Sequence, residues 1–282
     1  MKIHKKIGIV GYGYVGRAVC DFFKDHYETI FFDPHVEGSA TKEELNACGL
    51  AVVSVPTPAG GDGCADLSVI HETMEWLAAP LVLIKSTIPP GTTASLVEKY
   101  GKRIAFSPEY VGEGNYEVPF WQGYPDPHDM KRHNFMIFGG APEVTSEIGE
   151  YFKRVLGAEA RYVFTDSATA ELCKYMENAF LATKVTFCNE FYEIANAFGV
   201  NYDMLREMWL LDGRIGRSHT AVFKDARGFG GKCLPKDLTA IVKRTEEAGY
   251  EPKLLKAVLA VNKTIRDKYT NAEVTRMPAA FP

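Results

Sequence analysis

Residues 6–16 read Lys-Ile-Gly-Ile-Val-Gly-Tyr-Gly-Tyr-Val-Gly, and this stretch decides the fold. Its first half is a short apolar run, which predicts a buried strand ending at Val10. Its second half is rich in glycine and leads into Val15–Phe23, whose apolar residues recur at helical spacing. A strand, a glycine turn and a helix in that order predict one βα unit of a parallel sheet.

The turn has the spacing of a dinucleotide-binding fingerprint, with glycines at Gly11, Gly13 and Gly16. In that fingerprint the first glycine makes the turn and the second lets a pyrophosphate approach the backbone. The third lets the helix pack closely on the strand. The pattern alone is weak, but here it follows a strand and opens a helix. We therefore predict a Rossmann domain in which Tyr14 and Val15, at the end of this fingerprint, also hold the dinucleotide.

Asp33 ends the second apolar run, Thr29–Phe32, twenty residues after Gly13. A carboxylate at that place accepts hydrogen bonds from a ribose 2′-hydroxyl. It would repel a 2′-phosphate because both groups are negative. The sequence therefore predicts NAD as the cofactor rather than NADP. The alternative is a tight turn followed by an incidental acid.

Apolar runs separated by polar or helix-compatible stretches continue through the first half of the chain. This alternation predicts an α/β domain with a doubly wound, mostly parallel sheet. Two of the runs end in turns rich in hydroxyl groups and proline. We predict that these turns meet in the crevice beyond the strand ends and bind the cofactor, although each could be a mere strand terminator. Their residues are Val55, Pro56, Thr57, Ser86 and Thr87.

The sequence pattern changes after about Ser167. Residues 168–198 contain neither glycine nor proline and keep an apolar repeat until the last residues, which predicts one helix about 45 Å long. This helix is the expected spine of a second, all-α domain. We place the NAD-binding Rossmann domain at residues 1–165 and a helical catalytic and dimerisation domain at residues 166–282.

Lys174 and Asn178 lie four residues apart on this predicted helix, and therefore on one of its faces. A cation and an amide in this arrangement could polarise a substrate oxygen. On an arbitrary helix the pair would more often be a solvated lysine with an incidental neighbour. Whether this pair is functional depends on the candidate nucleophile and acid at residues 228–237.

Residues 228–237 read Gly-Phe-Gly-Gly-Lys-Cys-Leu-Pro-Lys-Asp and place Cys233 between a glycine loop and a helix that starts near Pro235. A helix N-terminus lowers the pKa of a thiol, and the thiolate is the nucleophilic form. The alternative is a buried structural cysteine. Asp237 could cap the same helix or act as a base, and the sequence leaves both roles open.

The segment from Ser107 to His133 is rich in Gly, Pro and aromatic residues, which predicts a long loop beyond one edge of the sheet. It carries Glu109 and Glu113. Ligands of open α/β sheets collect at this edge, so the two acids are candidate site residues. Two surface acids are the alternative.

Composition limits the possible partners. The chain has 282 residues, a net charge of −4 and no dense Lys/Arg tract, so we expect no nucleic-acid partner. The N-terminal apolar run is too short for a signal sequence or a membrane span, and we expect a cytoplasmic protein without a membrane partner. The cysteines show no paired spacing, which argues against a disulfide framework or a bound metal. They are Cys20, Cys48, Cys64, Cys173, Cys188 and Cys233.

In combination, these motifs resemble the UDP-glucose/GDP-mannose dehydrogenase family. The resemblance covers residues 6 to about 267, and GFGGKCLPKD at 228–237 is its most specific motif. It implies a four-electron oxidation of a nucleotide sugar, UDP-glucose to UDP-glucuronate, with two NAD⁺ used in turn. The other shared motifs are GYGYVG at 11–16, Asp33, VPTP at 55–58, KSTIPPG at 85–91, SPEYVGEG at 107–114, AELCKYMEN at 170–178, KVTFCNE at 184–190 and RIG at 214–216.

The same resemblance implies a role for each site residue. Cys233 attacks an aldehyde intermediate to form a thiohemiacetal, then a thioester, which water releases as the acid. Lys174 and Asn178 stabilise the developing oxyanion, and Glu109 supports its loop or assists proton transfer. The residues that position or activate the water are Asp237, Thr87 and Glu113.

The resemblance also implies a homodimer built on the long helix, in which Arg214 reaches the nucleotide-sugar site of the other subunit. Additional substrate contacts are implied at Tyr110, Phe229 and Gly230. Additional cofactor contacts are implied at Glu113 and Lys236.

The chain departs from the family where members continue into a third, Rossmann-like domain that holds the nucleotide, and we expect that domain to be lacking. Two other interpretations remain. A two-electron hydroxyacid dehydrogenase of the 6-phosphogluconate type shares the Rossmann domain, the long helix and the Lys-xxx-Asn pair but needs no thiol. A truncated, non-catalytic dinucleotide-binding relic would keep only the cofactor fold.

Overall fold

A computed structural model describes residues 6–111 and 129–269 of the chain. Within these residues one sheet contains the strands β1 (Lys6–Val10), β2 (Glu28–Phe32), β3 (Leu50–Val53), β4 (Val82–Ile84), β5 (Ile104–Phe106), β6 (Phe135–Gly140) and β7 (Arg161–Thr165). Their order is β2-β1-β3-β4-β5-β6-β7. Neighbouring strands are parallel except β5 and β6, which are antiparallel. The predicted doubly wound, mostly parallel sheet is confirmed.

Helices cover both faces of this sheet, namely α1 (Tyr14–Phe23), α2 (Lys42–Asn46), α3 (Ser68–Trp76), α4 (Thr92–Tyr100) and α5 (Pro142–Leu156). Successive strand residues point to opposite faces. In β3, Leu50 and Val52 pack in one apolar cluster with α1 and α5. Ala51 and Val53 pack in a second cluster with α2, α3 and α4. Burial on both faces explains why the strands are continuous apolar runs rather than alternating ones.

The C-terminal ends of β1 to β5 lie side by side at one edge of the sheet, because their last residues are in register. β2 lies on one side of β1 and β3 on the other, so the winding reverses between β1 and β3. Ligands of open α/β sheets bind at such a switch point. The residues that directly follow the five strands are Gly11, Asp33, Ser54, Lys85 and Ser107.

The rest of the described chain is helical, with α6 (Ser167–Ala197), α7 (Tyr202–Trp209), α8 (Leu234–Glu247) and α9 (Lys253–Tyr269). The predicted long helix is confirmed as α6. Cys188 and Ala195 of α6 form a small apolar core with Tyr202 of α7. No helix in the described residues has the length and apolar character needed to cross a membrane.

The chain divides into two compact units. The first contains the sheet and reaches Lys174, and the second begins at Tyr175. This division falls inside α6. Our domain boundary between residues 165 and 166 stays a prediction.

Candidate active site

The three glycines of the turn after β1 have different surroundings. Gly11 has a φ of +86°, and a Cβ there would lie 2.7 Å from the carbonyl oxygen of Ser54. A Cβ on Gly16 would overlap the carbonyl oxygen of Gly11, because α1 packs directly on the turn. A Cβ on Gly13 would meet nothing within 4 Å. The open space beside Gly13 is what a pyrophosphate needs, whereas the other two glycines are required by the protein itself.

Backbone amides hold the carboxylate of Asp33 at the end of β2. Tyr12 N donates to Oδ2 at 2.8 Å, and His35 N donates to Oδ1 at 3.0 Å. A carboxylate has about four acceptor positions, so both oxygens can still accept from a ligand hydroxyl. Asp33 is half-buried, and the two backbone hydrogen bonds hold its orientation.

Hydroxyl groups tie the ends of β3 and β4 together. Thr57 Oγ1 donates to the carbonyl oxygen of Thr87 at 2.8 Å, and Ser86 Oγ donates to that of Val55 at 2.7 Å. Both donors are buried, and Thr87 is half-buried. The structure therefore brings four of the five predicted turn residues into one hydrogen-bonded group, with Pro56 exposed beside it.

The residues present at this edge fit NAD. The buried Ser54 Oγ has no hydrogen-bond partner among the described residues, which is unusual for a buried hydroxyl and leaves it available to a ligand. α1 begins at Tyr14 without a side-chain cap, so its N-terminal amides can bind phosphate. At Gly13 a phosphate would have access to the backbone, and the Asp33 carboxylate would be placed to accept from a ribose hydroxyl.

An ion pair between the loop after β5 and the start of α6 forms a second part of the site in the first compact unit. Lys174 Nζ lies 3.6 Å from Glu109 Oε1, and both side chains are almost completely buried. Val111 N donates to Glu109 Oε2 at 2.8 Å, which fixes the carboxylate. The ammonium of Lys174 also lies 5.3 Å from the centre of the Tyr110 ring. Three predicted site residues are thus in one cluster.

Lys85, at the end of β4, belongs to the same cluster and was missed by the sequence analysis. Its ammonium group donates to Ser107 Oγ at 3.2 Å, to the carbonyl oxygen of Pro108 at 3.2 Å and to that of Ser107 at 3.5 Å. Burial lowers the pKa of Lys85 to about 8, with Glu109 acting to raise it and Lys174 to lower it. The available signal was a lysine that directly follows a fully apolar strand.

Asn178 and Asp237 form a buried pair in the second unit. Asn178 Nδ2 donates to Asp237 Oδ2 at 2.5 Å, and Lys236 Nζ lies 2.5 Å from Asp237 Oδ1. Asp237 is 1% exposed. No side-chain hydrogen bond caps α8, so Asp237 is not a helix cap, and its two carboxylate oxygens contact Asn178 and Lys236.

Cys233 is the N-cap residue of α8, and its thiol is half-buried and not in a disulfide. The loop before it is held by α9. Phe229 N donates to Asn262 Oδ1 at 2.7 Å, and Asn262 Nδ2 donates back to the Phe229 carbonyl at 3.0 Å. A Cβ on Gly228 would lie 2.5 Å from Asn262 Oδ1, and one on Gly230 would lie 2.6 Å from an Arg266 nitrogen. Gly228 also has a φ of +74°, so glycine is needed there, whereas at Gly230 the end of the Arg266 side chain could shift to admit a methyl group.

Arg227 anchors the start of this loop and was also missed by the sequence analysis. It donates to Asn189 Oδ1 at 2.7 Å and to Glu193 Oε1 at 2.8 Å, both on α6. Its guanidinium lies between the rings of Tyr192 and Tyr269, 4.1 and 4.6 Å from their centres. Its local sequence gives no sign of these partners.

Two predicted site residues, Arg214 and Glu113, are not placed in either cluster by the described residues. Arg214 is 88% exposed in its side chain and pairs with Asp212 of its own chain at 2.5 Å. Its proposed reach to a partner subunit stays a prediction. Glu113 lies outside the described residues.

Two sequence models of one family match the chain. The central domain of the UDP-glucose/GDP-mannose dehydrogenase family matches residues 168–264, and the NAD binding domain of the same family matches residues 34–122. Fold and site define an NAD-binding protein with a Rossmann sheet followed by a helical part. Within that class, the chain belongs to the UDP-glucose/GDP-mannose dehydrogenase family, and its cofactor is NAD.

Individual relatives agree with this assignment. The UDP-glucose 6-dehydrogenase of Rickettsia bellii is 33% identical over 231 residues, which are 78% of this chain and 50% of that protein. The UDP-glucose 6-dehydrogenase AglM of Haloferax volcanii is 33% identical over 239 residues, 78% and 53% of the two chains. The structure of a UDP-glucose dehydrogenase from Pyrobaculum islandicum has a TM-score of 0.78 at 27% identity, covering 93% of this chain and 68% of that one. The chain spans about half the length of the curated relatives it matches.

Proposed function

We propose that this chain oxidises the primary alcohol of a nucleotide sugar to a carboxylate with NAD⁺, and that UDP-glucose, giving UDP-glucuronate, is its substrate. The observation that carries the proposal is the start of α8. Cys233 is the N-cap there, and Asp237 in the first turn bonds the buried amide of Asn178. Relatives that share both domains are named UDP-glucose 6-dehydrogenases.

The proposed reaction removes four electrons. One alcohol, two NAD⁺ and one water give a carboxylate, two NADH and three protons. NAD⁺, held at Gly13 and Asp33, would supply the hydride acceptor for both oxidations. The Cys233 thiolate adds to the aldehyde carbon, and the new C–S bond persists as the thiohemiacetal is oxidised to a thioester. Water then breaks that bond, which releases the acid and returns the thiol.

Polar groups on α6 stabilise the oxygen that becomes negative in these steps. Lys174 supplies a positive charge, and Asn178 has a second amide N–H after its bond to Asp237. Both side chains are nearly buried, so water screens their charge and dipoles little. Glu109, paired with Lys174, assists proton transfer. The residues proposed to position water are Asp237, Thr87 and Glu113.

The test incubates the full chain with NAD⁺ and a panel of nucleotide sugars, sugar phosphates and hydroxyacids, and counts NADH formed per substrate consumed. Two NADH per UDP-glucose is the expected result. One NADH per hydroxyacid would select the two-electron alternative. No NADH with any substrate would favour a non-catalytic dinucleotide-binding protein.

We further propose that two chains pair through α6. One face of this helix exposes apolar side chains at helical spacing, which marks an interaction surface. Met176 is 75% exposed and Phe180 63%, and Phe198, which directly follows the helix, is 80% exposed. A homodimer would bury this stripe, and Arg214 would then be available to the substrate of the partner. The stripe also includes Phe187, Phe191 and Ile194.

Phe180→Glu is expected to weaken this dimer by about 100-fold or more, because it places an unpaired charge in an apolar interface. Light scattering after size-exclusion chromatography measures the change in mass. Leu254→Glu is the matched control, since it adds the same charge at an exposed apolar residue of α9. A wild-type monomer, or a dimer that persists in Phe180→Glu, would contradict the interface.

A further inference from the structure

Lys85 is a buried cation whose position the proposed chemistry does not explain. Its side chain is 2% exposed, and burying an ammonium group costs several kcal/mol unless partners compensate. The compensation is local, since the hydrogen-bond acceptors are Ser107 and Pro108 at the end of β5. Lys85 therefore connects the ends of two neighbouring strands at the edge of the sheet where the site lies.

The turn that Lys85 holds leads directly to Glu109. The carbonyl group of Pro108 belongs to the peptide bond whose nitrogen is that of Glu109, so fixing this carbonyl restricts the backbone that carries the carboxylate. Glu109 in turn pairs with Lys174. Lys85 at the end of β4 thus holds the turn, and the turn carries the Glu109 carboxylate that pairs with Lys174 of α6.

We propose that Lys85 is a positioning residue: its ammonium group holds the turn at Ser107 and Pro108 and thereby places the Glu109 carboxylate against Lys174. The inference rests on the proposed function, in which Lys174 acts on the substrate oxygen. It assigns to Lys85 no contact with substrate or cofactor.

The charge of Lys85 also acts on a neighbouring imidazole. Lys85, Glu109 and His133 line the same small pocket. Burial lowers the pKa of His133, and the charge of Lys85 lowers it further, while Glu109 and Asp129 act to raise it. The titration of His133 therefore reports both the charge of Lys85 and the place of Glu109 without any need for turnover.

Lys85→Met retains the length of the side chain and removes the ammonium group. We expect kcat to fall roughly 100-fold, the loss that a displacement of about 1 Å in a catalytic group can cause. Binding of NAD⁺ should stay within about twofold of wild type, because Gly13 and Asp33 are held by other contacts. Kinetics and calorimetric titration with NAD⁺ measure the two quantities.

Lys102→Met is the matched control. Lys102 is a partly buried lysine that donates to the carbonyl oxygens of Met74 and Leu77, and burial lowers its pKa as well. It precedes β5 and so lies at the opposite edge of the sheet from Lys85. Its loss should reduce stability without changing kcat or the titration of His133.

Nuclear magnetic resonance of the His133 ring tests the positioning directly. The pKa of His133 should rise in Lys85→Met, because a neighbouring positive charge is lost. Glu109→Gln should lower that pKa in the wild-type background, and by clearly less in the Lys85→Met background, if Lys85 holds Glu109 in place. The rise of the His133 pKa in Lys85→Met follows from the lost charge alone, whereas a role limited to packing would leave the effect of Glu109→Gln equal in the two backgrounds.

The outcomes separate the two proposals. If UDP-glucose and the other sugars are not oxidised, the function fails, and the His133 measurements still decide the role of Lys85. Wild-type kcat in Lys85→Met, or an equal effect of Glu109→Gln in both backgrounds, overturns the positioning role. If Lys85→Met does not fold, Ser107→Ala removes one acceptor, and a several-fold loss of kcat supports the proposal whereas none overturns it.

Discussion

Cys233→Ala should abolish formation of the sugar acid, with kcat lower by about three orders of magnitude or more. Without the thiol no thioester can form, and the aldehyde carbon has no nucleophile held beside it. The N-cap position itself tolerates the change, because the Cys233 side chain does not cap α8. NADH formation with UDP-glucose measures the loss of activity. Binding of NAD⁺ checks that the substitution leaves the cofactor site intact.

Cys64→Ala is the control for this experiment. Cys64 is also half-buried and not in a disulfide, but it lies in the loop before α3. It should keep wild-type activity. Full activity in Cys233→Ala, with one NADH per product, would refute the thioester route and favour a two-electron dehydrogenase.

Gly13→Ala should weaken NAD⁺ binding roughly 100-fold, about 2.8 kcal/mol, with the protein as stable as wild type. The added Cβ meets no protein atom within 4 Å, and the backbone of Gly13 has an ordinary φ of −76°. The methyl group would instead occupy the space where pyrophosphate approaches the turn. Calorimetric titration and thermal unfolding separate binding from stability.

Gly16→Ala should behave differently, because its Cβ would overlap the carbonyl oxygen of Gly11. α1 must then move away from β1, at a cost of about 1–3 kcal/mol in the free energy of unfolding, and NAD⁺ binding is lost with it. Gly61→Ala, whose Cβ also meets nothing within 4 Å, is the control for an added methyl group. Wild-type affinity in Gly13→Ala would exclude pyrophosphate from this turn.

Most of the fold could be predicted from the sequence because its signals are local. The strand, turn and helix at residues 6–23 follow directly from periodicity and glycine spacing. α6 could be predicted for the same reason, since a long segment without glycine or proline has few alternatives to a helix. β6 and β7 run antiparallel to β5, and no local signal in the sequence predicts this reversal.

The site residues that the sequence did not predict depend on partners that are far away along the chain. Lys85 is explained by Ser107 and Pro108, and Arg227 by Asn189 and Glu193, which are brought close only by the fold. Sequence alone also left the role of Asp237 open between cap and base. The structure shows no side-chain cap on α8, and the two carboxylate oxygens of Asp237 contact Asn178 and Lys236 instead.

The contacts of Arg227 with Glu193 and Tyr269 connect the end of α9 to the loop before Cys233. Tyr269, in the last turn of that helix, stacks on the guanidinium and donates to the same Glu193 oxygen that the guanidinium binds. Truncating the chain before Tyr269 would remove one partner of Arg227, the residue that leads into the glycine loop before Cys233. We therefore expect the position of the Cys233 thiol to depend on contacts made at the end of α9.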